Sequence, residues 1–122
     1  MKDFSIFLAL ILVFAGCQES AKAPEIDQFV AGEQLYGTYC ASCHEVENGI
    51  GPLLTKEVVA TRVNGQFLYN YNKRNMPYEA GNTLTEEQYW AITAYMLIRD
   101  GFLSEGATLG PENAATVLLG EQ

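Results

Sequence analysis

The five residues Cys40-Ala41-Ser42-Cys43-His44 place two thiols and an imidazole within one helical turn of one another, and nothing else in the chain limits its fold as strongly. Thiols at this spacing can each add to one vinyl group of the same porphyrin. The histidine that follows is then held beneath the ring, with its imidazole directed at the iron. Cys-x-x-Cys-His is the attachment pattern of a c-type haem. One covalently bound haem c, with its iron, is therefore the expected cofactor, and the fold must be built around it. A Cys-x-x-Cys pair also occurs in redox dithiols and as half of a zinc site. A zinc site needs further ligands, yet His44 is the only histidine. A thioredoxin-like dithiol needs a βαβ pattern, and none is present around these residues.

The third cysteine stands apart. Lys2 precedes an apolar run from Phe4 to Gly16. That run is shorter than the roughly 20 apolar residues a membrane-spanning helix needs, and it has the length of the hydrophobic region of a signal peptide. It closes on Phe14-Ala15-Gly16-Cys17, which resembles a bacterial lipobox, in which the cysteine is acylated and becomes the first mature residue. The expected organisation is a lipoprotein signal peptide over 1–16, a lipid-anchored flexible tether over 17–26, and one domain with a C-terminal tail over 27–122. Lipidation at Cys17 would hold the domain on the periplasmic side of a bacterial membrane. With Cys17 given to lipid and Cys40 and Cys43 to haem, no cysteine remains for a disulfide. The macrocycle then serves as the staple that a small exported domain requires.

A chain of 122 residues supplies one domain, and with 48% hydrophobic and 18% charged residues it is globular in composition. Its net charge of −8 offers no basic cluster beyond Lys73-Arg74. Nucleic acid is thus excluded as a partner, and a protein presenting a basic or neutral surface suits the chain better.

Apolar and small residues recur at helical spacing over Phe29, Gly32, Leu35, Tyr36 and Tyr39, leading into the Cys40 motif. Asn48-Gly49-Ile50-Gly51-Pro52 is a break. A second helix is expected from Asn64 as N-cap through Phe67, Leu68 and Tyr71. The last helix is marked most clearly: Thr85 and Gln88 form a capping box, and Leu84 and Tyr89 a hydrophobic staple. Ile92, Tyr95, Met96 and Ile98 continue its apolar stripe, and Arg99 and Gly101 suit its end. Ala114 to Leu119 could add a short helical turn. No segment sustains a period-two alternation, so the fold class is all-α, with three to four helices wrapped around one haem.

The sixth position on the iron must be filled by Met76, by Met96, or by water. Met96 falls on the apolar helix stripe, where methionine usually fills core. Met76 precedes Pro77, which biases it towards extended backbone, so it can point from a loop into a haem crevice. Met76 is the expected ligand. A thioether favours Fe(II) and raises the potential, and a site filled on both sides leaves no room for oxygen or peroxide. The expected function is single-electron transfer without substrate turnover. The alternative is a haem enzyme or gas sensor with a labile sixth ligand; the enzyme would also want a distal acid–base residue such as a histidine, and no second histidine exists. Lys73, Arg74 and Arg62 are candidates for a partner or a haem propionate. Trp90 and the seven tyrosines are expected in the core and the pocket lining rather than in an electron relay.

From Asp27 to about Phe102 the chain resembles the class I cytochromes c. Gly32 and Tyr36 are similar to the glycine and aromatic residue of that family's first helix, and Ala94-Tyr95-Met96 to the Ala-Tyr-Leu of its last. Gly51-Pro52-Leu53 resembles the loop whose proline carbonyl accepts the N–H of the haem-ligating histidine, which implies that role for Pro52 towards His44. Asn75-Met76-Pro77 resembles the axial-methionine loop. The resemblance implies the small cytochrome c fold, with Gly32 allowing the first and last helices to cross closely. It also implies redox protein partners such as a periplasmic dehydrogenase or a terminal oxidase.

Overall fold

A computed structural model describes residues 26–120. The expected signal peptide, Cys17 and all of the tether except its last residue lie outside the described residues. Among the described residues no helix is long and apolar enough to cross a membrane.

Helix α1 (Gln28–Tyr39) starts where the Asp27 carboxylate accepts the Phe29 N–H at 2.8 Å. It ends at Tyr39, as expected, because Cys40 leaves helical geometry (φ −122°) and restarts the chain as the single turn α2 (Ala41–His44). The loop from Glu45 to Leu54 leads to α3 (Lys56–Ala60), a five-residue helix capped by Thr55 that the apolar periodicity did not announce. Helix α4 (Gly65–Asn75) is capped by Asn64, as expected, through a 2.8 Å bond from the Phe67 N–H. Helix α5 (Glu86–Arg99) carries both halves of the Thr85–Gln88 capping box. Its far end is a Schellman motif. Gly101, at φ +77°, donates to the Ile98 carbonyl at 3.0 Å, and Phe102 donates to the Leu97 carbonyl at 2.8 Å.

Five α-helices and a 3₁₀ turn (Ala114–Thr116) make up the regular structure of the described residues, with no strand beyond an isolated bridge between Asn64 and Leu118. The all-α expectation is met, with short α2 and α3 added to the three longer helices. The first and last long helices cross closely, because a Cβ on Gly32 would overlap the Ala91 carbonyl and lie 2.7 Å from the Tyr95 Cβ. At that crossing the Tyr95 ring lies between Phe29 and Tyr36, with centroids 5.3 and 5.2 Å away and tilted planes. Such geometry suits the quadrupoles of aromatic pairs.

Beyond α5 the tail wraps back over the helices rather than hanging free. The Gln28 side-chain amide makes two bonds to the Leu109 backbone, at 2.9 and 2.7 Å. Leu109, Ala114 and Leu119 are buried in the core with Val59, Leu68 and Leu97.

Candidate functional site

Helices α2, α3, α4 and α5 and the loop after α2 surround an open, mostly apolar cleft, the usual character of a small-molecule or cofactor site. Cys40, Cys43, His44, Pro52 and Met76, the five residues expected to hold a cofactor, all line it. Leu54, Val59, Leu68 and Ile92 supply apolar walls, and Tyr39, Tyr71, Tyr78 and Tyr89 contribute rings.

His44 is buried, and its Nδ1 lies 2.7 Å from the Pro52 carbonyl. A carbonyl oxygen can only accept, so Nδ1 is the protonated nitrogen and Nε2 keeps its lone pair free. The neighbouring Gly51 packs flat against the ring: a Cβ there would overlap the imidazole, 2.7 Å from Nδ1. Gly51 N–H also donates to the Cys43 carbonyl at 3.2 Å, which ties the loop back onto the cysteine turn. The two cysteines are free thiols in partly buried positions. Burial, followed by the nearby Cys43 and Glu45 charges, pushes the Cys40 thiol up to about 11. At neutral pH it is protonated, unlike the reactive thiolate of a redox dithiol. Among the described residues no three His, Cys, Asp or Glu side chains gather as a metal site of their own.

Met76 follows directly on α4 with extended backbone (ψ 148°), the conformation that Pro77 was expected to impose. Two residues not singled out as functional from the sequence support this side of the cleft. The Tyr89 hydroxyl donates to the Met76 carbonyl at 2.8 Å, a role beyond the staple, apolar stripe and pocket lining expected of this residue. A buried tyrosine needs a partner for its hydroxyl, which was the available signal. Asn72 is buried, and its amide donates to Thr93 Oγ1 at 3.3 Å and Met96 Sδ at 3.7 Å. Met96 is 2% exposed and belongs to the core cluster, consistent with a packing role.

Of the candidate cations, Arg62 alone lines the cleft, with its guanidinium 3.9 Å above the Tyr71 ring. Lys73 pairs with Glu86 on the outer face of α4 and α5, and Arg74 is exposed. Trp90 stacks on Tyr69 at 3.6 Å, outside the cleft lining.

The donor set fits a covalently bound haem. Two thiols sit three residues apart in one turn, a histidine offers a free Nε2, and a thioether shares the same apolar cleft. An all-α domain with a Cys-x-x-Cys-His turn opening onto such a cleft is a class I c-type cytochrome. The chain belongs to the family described as cytochrome C oxidase, cbb3-type, subunit III, whose sequence profile matches residues 27–96. Membership brings haem c, covalently bound with its iron, and haem-based electron transfer. No curated protein and no solved structure matches the chain.

Proposed function

We propose that this protein is a membrane-tethered carrier of single electrons, with haem attached at Cys40 and Cys43 and the iron held between His44 and Met76. Bound there, the haem supplies reversible Fe(III)/Fe(II) chemistry. The observation that carries the reading is the 2.7 Å contact from His44 Nδ1 to the Pro52 carbonyl in a cleft that Met76 also lines. That bond fixes the tautomer, orients the ring and leaves Nε2 as a strong donor. The Met76 thioether is a weak donor that favours the reduced iron. The apolar walls exclude water, so little reorganisation accompanies the change of charge. No histidine besides His44 is available as a distal acid–base group, which supports transfer over turnover.

The partners that fit are respiratory redox proteins outside the cytoplasm, a terminal oxidase first, given the family, and a periplasmic dehydrogenase second. Acylation of Cys17 would keep the domain at the membrane surface. The decisive test is the weak near-infrared sulfur-to-iron band of the ferric holoprotein. It is expected in the wild type and lost in Met76→Ala, and a band that survives the substitution reassigns the ligand. Cys17→Ser is expected to release the protein from the membrane fraction, and unchanged fractionation would refute the anchor.

A further inference from the structure

Arg99 belongs to the last turn of α5, where a cation is sufficiently explained by the helix dipole. Its surroundings ask for more. Nε and Nη2 donate to the two carboxylate oxygens of Asp100 at 2.8 and 3.1 Å, and the Asp100 side chain is only 8% exposed. Nη2 also donates to the Leu54 carbonyl at 2.7 Å, across 45 residues of sequence. Nη1 reaches Glu45 at 3.4 Å, and the guanidinium lies over the Tyr36 ring. An exposed dipole cation needs none of these partners. A planar fork held by a buried carboxylate is, by contrast, the arrangement that fixes direction as well as charge.

Leu54 is two residues from Pro52, and its N–H donates to the His44 carbonyl at 3.4 Å. The segment from Gly51 to Leu54 is thus pinned at one end to the cysteine turn and at the other to Arg99. Between these pins the Pro52 carbonyl meets His44 Nδ1. The segment has no regular secondary structure to hold it. We infer that Arg99, aimed by Asp100, is a positioning residue for His44: it anchors the Leu54 carbonyl and so keeps the Pro52 carbonyl on the imidazole N–H. This builds on the assignment of His44 as the haem ligand. A tighter Nδ1–H bond makes the imidazole a better donor and favours Fe(III), so loosening the anchor raises the reduction potential.

The test uses the full-length holoprotein and two readouts that general packing does not move together. These are solvent exchange of the His44 Nδ1 proton, followed by NMR in the ferrous state, and the reduction potential. Arg99→Met keeps much of the side-chain volume but removes every donor. It is expected to speed Nδ1 exchange by about tenfold, the factor that corresponds to losing about one hydrogen bond's net worth, and to raise the potential. Arg99→Lys keeps a single donor for Leu54 and should recover part of both effects. Asp100→Asn leaves the cation in place but loosens its aim, and covers the case in which Arg99→Met does not fold. It should shift both readouts in the same direction. Gln66→Ala, which breaks an exposed contact with Asn70 on α4 and removes no charge, should leave both unchanged. Loss of thermal stability with unaltered exchange and potential would overturn the proposal and leave Arg99 a structural residue. A wild-type protein with no iron-bound His44 resonance would instead refute the ligand assignment on which it builds.

Discussion

At the scale of single residues, the Tyr89 hydroxyl controls more than its burial suggests. The ring is 1% exposed, and its O–H donates to the Met76 carbonyl at 2.8 Å while accepting from Leu84 N–H at 3.5 Å. Tyr89→Phe keeps the ring and removes the donor, leaving a half-buried carbonyl beside the proposed axial ligand. Such a loss costs about 1–1.5 kcal/mol. Because the bond anchors Met76 itself, the expected readout is displacement of the thioether. Exogenous imidazole should replace Met76 about tenfold more readily in Tyr89→Phe, as 1.4 kcal/mol corresponds to tenfold. Equal imidazole affinities in the two proteins would show that Met76 is held by other contacts. The residues of the proposed site could be nominated from the sequence, since each is chemically distinctive and Met76 carries its neighbouring proline. Their supports were not. Tyr89, Asn72 and Arg99 act through partners 13 to 45 residues away, and no local pattern encodes those meetings.

Among the elements, α5 has the best-marked boundaries, and both follow from local chemistry. Thr85 Oγ1 accepts the Gln88 N–H at 3.3 Å, and Gln88 Oε1 accepts the Thr85 N–H at 2.9 Å. In the same turn the Glu87 carboxyl lies below its usual range, held there first by its own backbone N–H and then by the Thr85 hydroxyl. Thr85→Ala should cost about 1 kcal/mol of folding stability, the usual scale for a lost N-cap. The Glu87 titration, followed by NMR, should move back up towards the ordinary carboxylate value. The sign of the pH effect follows from the lowered pKa. The contribution is complete above the unfolded-state value and disappears as pH falls through the lower, folded-state value. The gap between wild type and Thr85→Ala should therefore narrow in that acid range to the pH-independent part left by the lost cap, and parallel curves would refute the coupling. Signals of this kind are local, which is why α4 and α5 were readable from capping residues together with apolar spacing. The five-residue α3 gave too short a window for periodicity. The tail after Phe102 lacked a repeat because its buried residues, Leu109, Ala114 and Leu119, are separate plugs in a core built by other elements.

The charge of the whole molecule decides how it meets a partner. Lys2 and Asp3 cancel, so the chain from Cys17 onward keeps the net −8 of the full sequence. Much of its positive charge is occupied. Lys73 pairs with Glu86, Arg99 is enclosed by Asp100 and the Leu54 carbonyl, and Lys56 and Arg62 lie over aromatic rings. Glu33, Glu47, Glu79, Glu105 and Glu112 are exposed. The field felt at a distance is therefore negative, and it draws cationic surfaces in while holding anionic ones off. Screening gives the test a sharp sign, because the Debye length shrinks from about 30 Å at 0.01 M salt to about 8 Å at 0.15 M. Reduction of the ferric holoprotein by a small cationic complex such as hexaammineruthenium(II) should slow by about tenfold over that interval, within the usual range of electrostatic steering. Reduction by anionic ferrocyanide should quicken over the same interval, so stopped-flow rates with the two reagents converge as salt is added. If the two slopes were reversed, local positive charge at the cleft, which Arg62 lines, would outweigh the charge of the whole. Slopes of the expected signs would show that the charge of the whole molecule sets the long-range encounter, which favours a basic partner surface.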